Sequence, residues 1–116
     1  FADQADVCVN SRLAADAVGA TKMDRPEWCS VNPANGEIYF ALTNNSNRRV
    51  EPSSSSQLVP DSANPRVYTD IKDTATSQQG NPNGHILRIK EGAAGTAATS
   101  FVWDVYLFGA EASASP

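Results

Sequence analysis

Apolar residues fall at consecutive positions in two places, Ile38-Tyr39-Phe40-Ala41-Leu42 before Thr43 and, on either side of Asp104, Phe101-Val102-Trp103 and Val105-Tyr106-Leu107-Phe108. A strand with one wet face alternates polar and apolar residues, so unbroken runs predict strands covered on both faces. Trp28-Cys29-Ser30-Val31 precedes the first run, across Asn32-Pro33-Ala34-Asn35-Gly36. Pro33 sets φ and Asn35-Gly36 tolerates positive φ, which predicts a β-hairpin. A second hairpin is predicted from Gly84–Lys90 and Ser100–Phe108, joined by a Gly/Ala-rich turn over Glu91–Thr96.

Between the hairpins, 44–83 is polar, broken by prolines, and contains the run Ser53-Ser54-Ser55-Ser56. A structureless loop of that length is improbable in a compact domain. It reads as an excursion, partly disordered at the serines and ordered near Val67-Tyr68 by outside contacts. Upstream, Asn10–Gly19 reads as a short helix capped by Asn10 or Ser11. Leu13, Ala14, Ala17 and Val18 share one face and Gly19 stops it. A helix this short must dock on something.

The expected fold is mainly β: a four-stranded antiparallel sheet with a short N-terminal helix, covered above and below like one blade of a β-propeller. No internal repeat supports the propeller. The segments are 1–23 (inter-blade strand or helix), 24–43 (first hairpin), 44–83 (excursion), 84–108 (second hairpin) and 109–116 (tail). Both ends, Phe1 and the small-residue stretch to Pro116, look cut from a longer chain.

Composition narrows the function classes. A net charge of −4 with scattered Lys and Arg argues against nucleic acid. No apolar stretch approaches the roughly 20 residues of a membrane span. The start is unlike a signal peptide, so any targeting segment lies upstream. Two cysteines, Cys8 and Cys29, lack zinc-site spacing; they either pair or act as small apolar fillers.

Candidate chemistry centres on Asp24-Arg25-Pro26-Glu27. Pro26 is expected to hold the preceding backbone extended, so that Glu27 is aimed from a strand's beginning into the space beyond. Hard cations such as calcium take carboxylate oxygens, and Arg25 offers a planar fork suited to phosphate. The competing reading is that Arg25 and Glu27 form a structural ion pair or cap at a strand entrance. His85 is expected to be a packed, hydrogen-bonded histidine, since a metal site needs several convergent ligands. Trp28, Trp103 and Tyr39 read as core ahead of substrate-stacking groups. Asp104 is either a turn acceptor or an inward ligand, and if buried it needs a partner. Asn44-Asn45-Ser46 fits a glycosylation sequon too short to be diagnostic.

Thr21 to Trp28, Val31-Asn32-Pro33, Gly36 to Tyr39 and Ala41 to Asn45 together resemble the PhoX-type alkaline phosphatases. The resemblance extends to Leu13–Thr21, Asn81–Ile86 and Phe101–Asp104, most of the chain outside the serine-rich middle and the tail. It implies a fragment of a six-bladed propeller enzyme that hydrolyses phosphate monoesters, periplasmic or extracellular, with calcium and iron at its centre. It further implies that Arg25 binds phosphate and Glu27 ligates calcium, with Asp24 as a further candidate metal ligand. The isolated 116 residues would then be inactive, with the nucleophile and remaining ligands elsewhere. The expected partners are a phosphate monoester and either the rest of the propeller or copies of the chain. The alternative is a non-catalytic structural, adhesion or self-assembly module built on a propeller scaffold.

Overall fold

The computed structural model describes residues 1–71 and 77–110. Its elements in chain order are α1 (Gln4–Val9), α2 (Ser11–Ala17), β1 (Pro26–Val31), β2 (Ile38–Leu42), β3 (Tyr68–Ile71), β4 (Ser77–Gly80), β5 (His85–Glu91) and β6 (Phe101–Phe108). A 3₁₀ turn, Gly95–Ala97, lies between β5 and β6.

The two predicted hairpins form one antiparallel sheet of order β1-β2-β5-β6. The first turn closes through Gly36 N–H to the Asn32 carbonyl at 2.8 Å, with Gly36 at φ 73°. Asn32 and Asn35 add side-chain caps, accepting from the N–H of Ala34 and Glu37 at 3.0 Å each. The hairpin is therefore set by local turn chemistry, and the long connection leaves β2 and β5 free to pair centrally.

The helical segment differs from expectation. Two helices form, and α1 begins at Asp3, whose carboxylate accepts from the Asp6 N–H at 2.9 Å. Asn10 does not cap α2; its side chain turns back to Asp6 at 2.8 Å. The predicted stop at Gly19 (φ 63°) holds as a Schellman motif: Ala20 N–H reaches the Ala15 carbonyl and Gly19 N–H that of Asp16. Neither helix buries a residue, and Leu13 and Val18 are exposed.

The excursion is more ordered than the sequence suggested. A second sheet pairs β3 with β4, Tyr68 opposite Gly80. The serine run makes a compact turn in which Ser53 N–H donates to Gln57 Oε1 at 2.7 Å. Arg49 N–H to the Leu58 carbonyl and Leu58 N–H to that of Asn47, both 2.9 Å, close the base of this loop. Residues 72–76 of the excursion and the tail from 111 lie outside the described residues.

Among the described residues, none of β1, β2, β5 and β6 is buried on both faces. Strand β5 alternates, with His85, Leu87 and Ile89 buried on one face, the same face as Leu42 of β2. The outer strands leave Trp28 (80% exposed), Val31, Phe101, Val102, Tyr106 and Leu107 open to solvent. The molecule measures 49 × 38 × 18 Å, and its radius of gyration of 16.6 Å exceeds the ~13 Å of a compact domain of about 100 residues. This is a slab about one sheet thick, whose apolar outer strands are left uncovered by the described residues. No helix among the described residues is long and apolar enough to cross a membrane.

Candidate functional site

Arg25 and Glu27 stand together at the entrance of β1. Two backbone irregularities place them there. Arg25 has φ 52°, the only positive φ at a non-glycine among the described residues. This corrects the expectation of an extended backbone before Pro26: neighbouring contacts override the proline's steric preference. The Arg25 carbonyl accepts from the Thr43 N–H at 3.3 Å, and its guanidinium reaches Asn44 Oδ1 at 3.4 Å. Glu27 is the extra residue of a β-bulge, since Pro26 faces Leu42 while Trp28 faces Ala41. Bulges re-aim side chains beside functional sites. The Arg25 Nη2 to Glu27 Oε1 separation is 4.0 Å, with side chains 65% and 47% exposed. An ion pair this open contributes about 0–1 kcal/mol, so either group can be drawn to a ligand.

Asp24, one residue earlier, has a different environment. It is 1% exposed, and both carboxylate oxygens are occupied. Oδ1 accepts from Asn45 Nδ2 at 2.8 Å and Arg48 Nε at 3.0 Å, and Oδ2 accepts from Asn64 Nδ2. Arg48, fully buried, also donates to the Lys22 carbonyl (3.0 Å), the Val59 carbonyl (2.8 Å) and Asp61 Oδ2 (2.8 Å). Burial by itself disfavours the Arg48 charge; hydrogen bonds to Asp61 and Asp24 outweigh that and raise its pKa above the usual value. Burial raises Asp61, but the Arg48 hydrogen bond and charge, together with the backbone N–H groups of Asn64 and Ala63, more than reverse this and leave it below the ordinary carboxylate range. Asp61 Oδ1 in turn accepts from the N–H of Ala63 (2.9 Å) and Asn64 (3.0 Å).

His85 extends this buried polar region. Its Nδ1 lies 2.8 Å from Asn81 Nδ2 and its Nε2 2.7 Å from the Ala63 carbonyl. It is the packed, hydrogen-bonded histidine that the sequence suggested. Arg48, Asp61, Asn64 and Asn81 were missed by sequence reasoning, because buried polar residues in a Pro/Ser-rich stretch look like a solvated loop. Asp104 is half exposed and receives the Arg88 guanidinium on both oxygens, Nε to Oδ1 at 3.0 Å, directly across the strand pair. Trp28 is exposed, whereas Trp103 and Tyr39 are partly buried. Cys8 and Cys29 are both free and exposed.

Glu27 fits a calcium donor: an accessible hard-oxygen ligand held only loosely by its neighbour. Among the described residues no group of three or more His, Cys, Asp or Glu side chains could hold a metal ion. A calcium or iron centre would need ligands beyond that set.

The family model for alkaline phosphatase PhoX matches residues 1–115. Among solved structures, Pseudomonas fluorescens PhoX in complex with vanadate, a transition state analogue, matches with 40% sequence identity and a TM-score of 0.62. The match covers 90% of this chain but 15% of that one. Comparison with curated proteins found no match.

Proposed function

The chain belongs to the PhoX alkaline phosphatase family, and on that footing we propose that it is a segment of a metal-dependent phosphatase acting on phosphate monoesters. The observation that carries the reading is the Arg25–Glu27 pair, a cation and a carboxylate re-aimed by a left-handed residue and a bulge and left accessible.

Arg25 would hold nonbridging phosphoryl oxygens through its planar fork, bidentately if the phosphate lies in the guanidinium plane. Glu27 would hold one calcium. The chemistry a bound cation supplies is polarisation of the phosphoryl group and neutralisation of developing charge. Asp24, with both oxygens engaged, is assigned to holding the backbone in place of ligating metal. Iron, the nucleophile and further calcium ligands would come from other parts of the protein. Open apolar outer strands agree with one blade packed between neighbours in a propeller, and the family match is compatible with a periplasmic or extracellular setting.

The test is hydrolysis of p-nitrophenyl phosphate with calcium by the whole protein containing this chain. Arg25→Ala and Glu27→Ala should each reduce it by at least tenfold; unchanged rates would remove both residues from the site.

A second reading is a structural or self-assembling module, favoured by the same exposed strands. It predicts a full-length protein without calcium-dependent hydrolysis that still associates through this segment.

A further inference from the structure

We infer that Asp24 and Arg48 are positioning residues, which hold Arg25 in its left-handed conformation and so aim its guanidinium at the phosphate. The inference rests on the phosphatase reading above and deepens it.

Arg25 is the only residue between Asp24 and Pro26. A left-handed non-glycine residue is strained and persists only where its surroundings over-determine it. On the N-terminal side they do. Arg48 grips the chain on both sides of Met23, through the Lys22 carbonyl and the Asp24 carboxylate. Asn45 donates to the same Asp24 oxygen as Arg48, and Asn64 donates to the other. Arg48 is fixed in turn by Asp61 and the Val59 carbonyl. On the C-terminal side, Pro26 enters β1, and Thr43 N–H holds the Arg25 carbonyl from β2's end. With both flanks pinned, the turn at Arg25 follows, and the side chain is directed outward (65% exposed) beside Glu27. Asp24 and Arg48 touch no solvent and cannot meet substrate, so any effect they have must pass through Arg25.

The experiment measures vanadate binding by calorimetry, together with p-nitrophenyl phosphate hydrolysis, in the whole protein containing this chain. The variants are Arg25→Ala, Asp24→Asn and the double variant. Misplacement by about 1 Å can cost up to about a hundredfold, so Asp24→Asn should weaken vanadate binding by about ten- to a hundredfold. The double variant should bind no more weakly than Arg25→Ala alone, because the two changes remove one interaction. A folded Asp24→Asn protein with wild-type vanadate affinity overturns the inference. So does a double variant whose loss equals the product of the two single losses. If Asp24→Asn does not fold, Asn45→Ala removes one of the three donors and leaves Arg48 in place. It should weaken vanadate severalfold, and unchanged affinity overturns the inference. Should Arg25→Ala itself bind vanadate normally, the phosphatase reading of this residue fails first, and the two failures are distinguished.

Discussion

His85 accepts through Nδ1 from the side-chain amide of Asn81, which makes Nε2 the ring's N–H donor to the Ala63 carbonyl. Both ring nitrogens are used by the neutral form. Protonation would put a second N–H against the Asn81 amide hydrogens, in a region already holding the Arg48 guanidinium. Burial is the main cause of a lowered His85 pKa; the Ala63 carbonyl and the carboxylates of Asp24 and Asp61 oppose it, and Arg48 adds to it.

The sign of the pH dependence follows. Between the lowered folded pKa and the unfolded value near 6.5, the unfolded chain binds more protons than the folded one. His85 therefore contributes stability that is present above about pH 6.5 and lost as pH falls through the folded value. Denaturant midpoints should fall on acidification through this window, with a slope of at most about 1.4 kcal/mol per pH unit from this proton. His85→Gln should flatten that segment of the profile. As the only histidine in the chain, its NMR titration should give a midpoint below 6.5.

Replacing Arg25 by glycine separates conformation from charge. Its φ of 52° is natural for glycine. Arg25→Gly should exceed Arg25→Ala in stability by about 1 kcal/mol, read from urea midpoints, while both lose vanadate binding equally. A stabilised variant that still binds vanadate would show that the guanidinium is not the clamp.

Arg48→Met removes the hub and leaves Asp24 buried without its cation. Breaking a buried pair from one side costs about 3–5 kcal/mol. Urea unfolding should show a loss of that size, whereas Asp104→Ala, which removes an exposed partner of Arg88, should leave the urea midpoint nearly unchanged, because solvent screens an exposed pair.

The isolated chain should self-associate. Trp28, Val31, Phe101 and Val102 are exposed on the outer strands of the sheet, and open apolar patches seek cover. Sedimentation should show concentration-dependent oligomers, and Trp28→Lys should shift them toward monomer. A stable, well-folded monomer at high concentration would count against the single-blade assignment.

What the sequence disclosed was local. The Asn32–Gly36 turn, the apolar runs of β2 and β6, and the stop at Gly19 each write their conformation in adjacent residues. The capping relation of Asp3 to Asp6 was equally local and would have revealed α1. The β3–β4 pair was hidden because Ser77-Gln78-Gln79-Gly80 carries no apolar alternation. The Arg48 hub was hidden for a different reason: a buried arginine is defined by its partners, which lie at Lys22, Asp24, Val59 and Asp61. Arg25 and Glu27 could be singled out by type and by their place before a strand, but the left-handed turn and bulge that re-aim them depend on contacts from Thr43 and Leu42.

The hydrogen bond between Asp24 and Asn64 also sets an order of events during synthesis. The two residues are 40 apart in sequence, which at about 5–20 residues per second amounts to about 2–8 s of translation. Through that interval the carboxylate must stay hydrated, and Arg25 has no reason to hold its left-handed turn. The proposed clamp therefore ripens late, after the polar loop has been made and folded back, although its own residues leave the ribosome before that loop does.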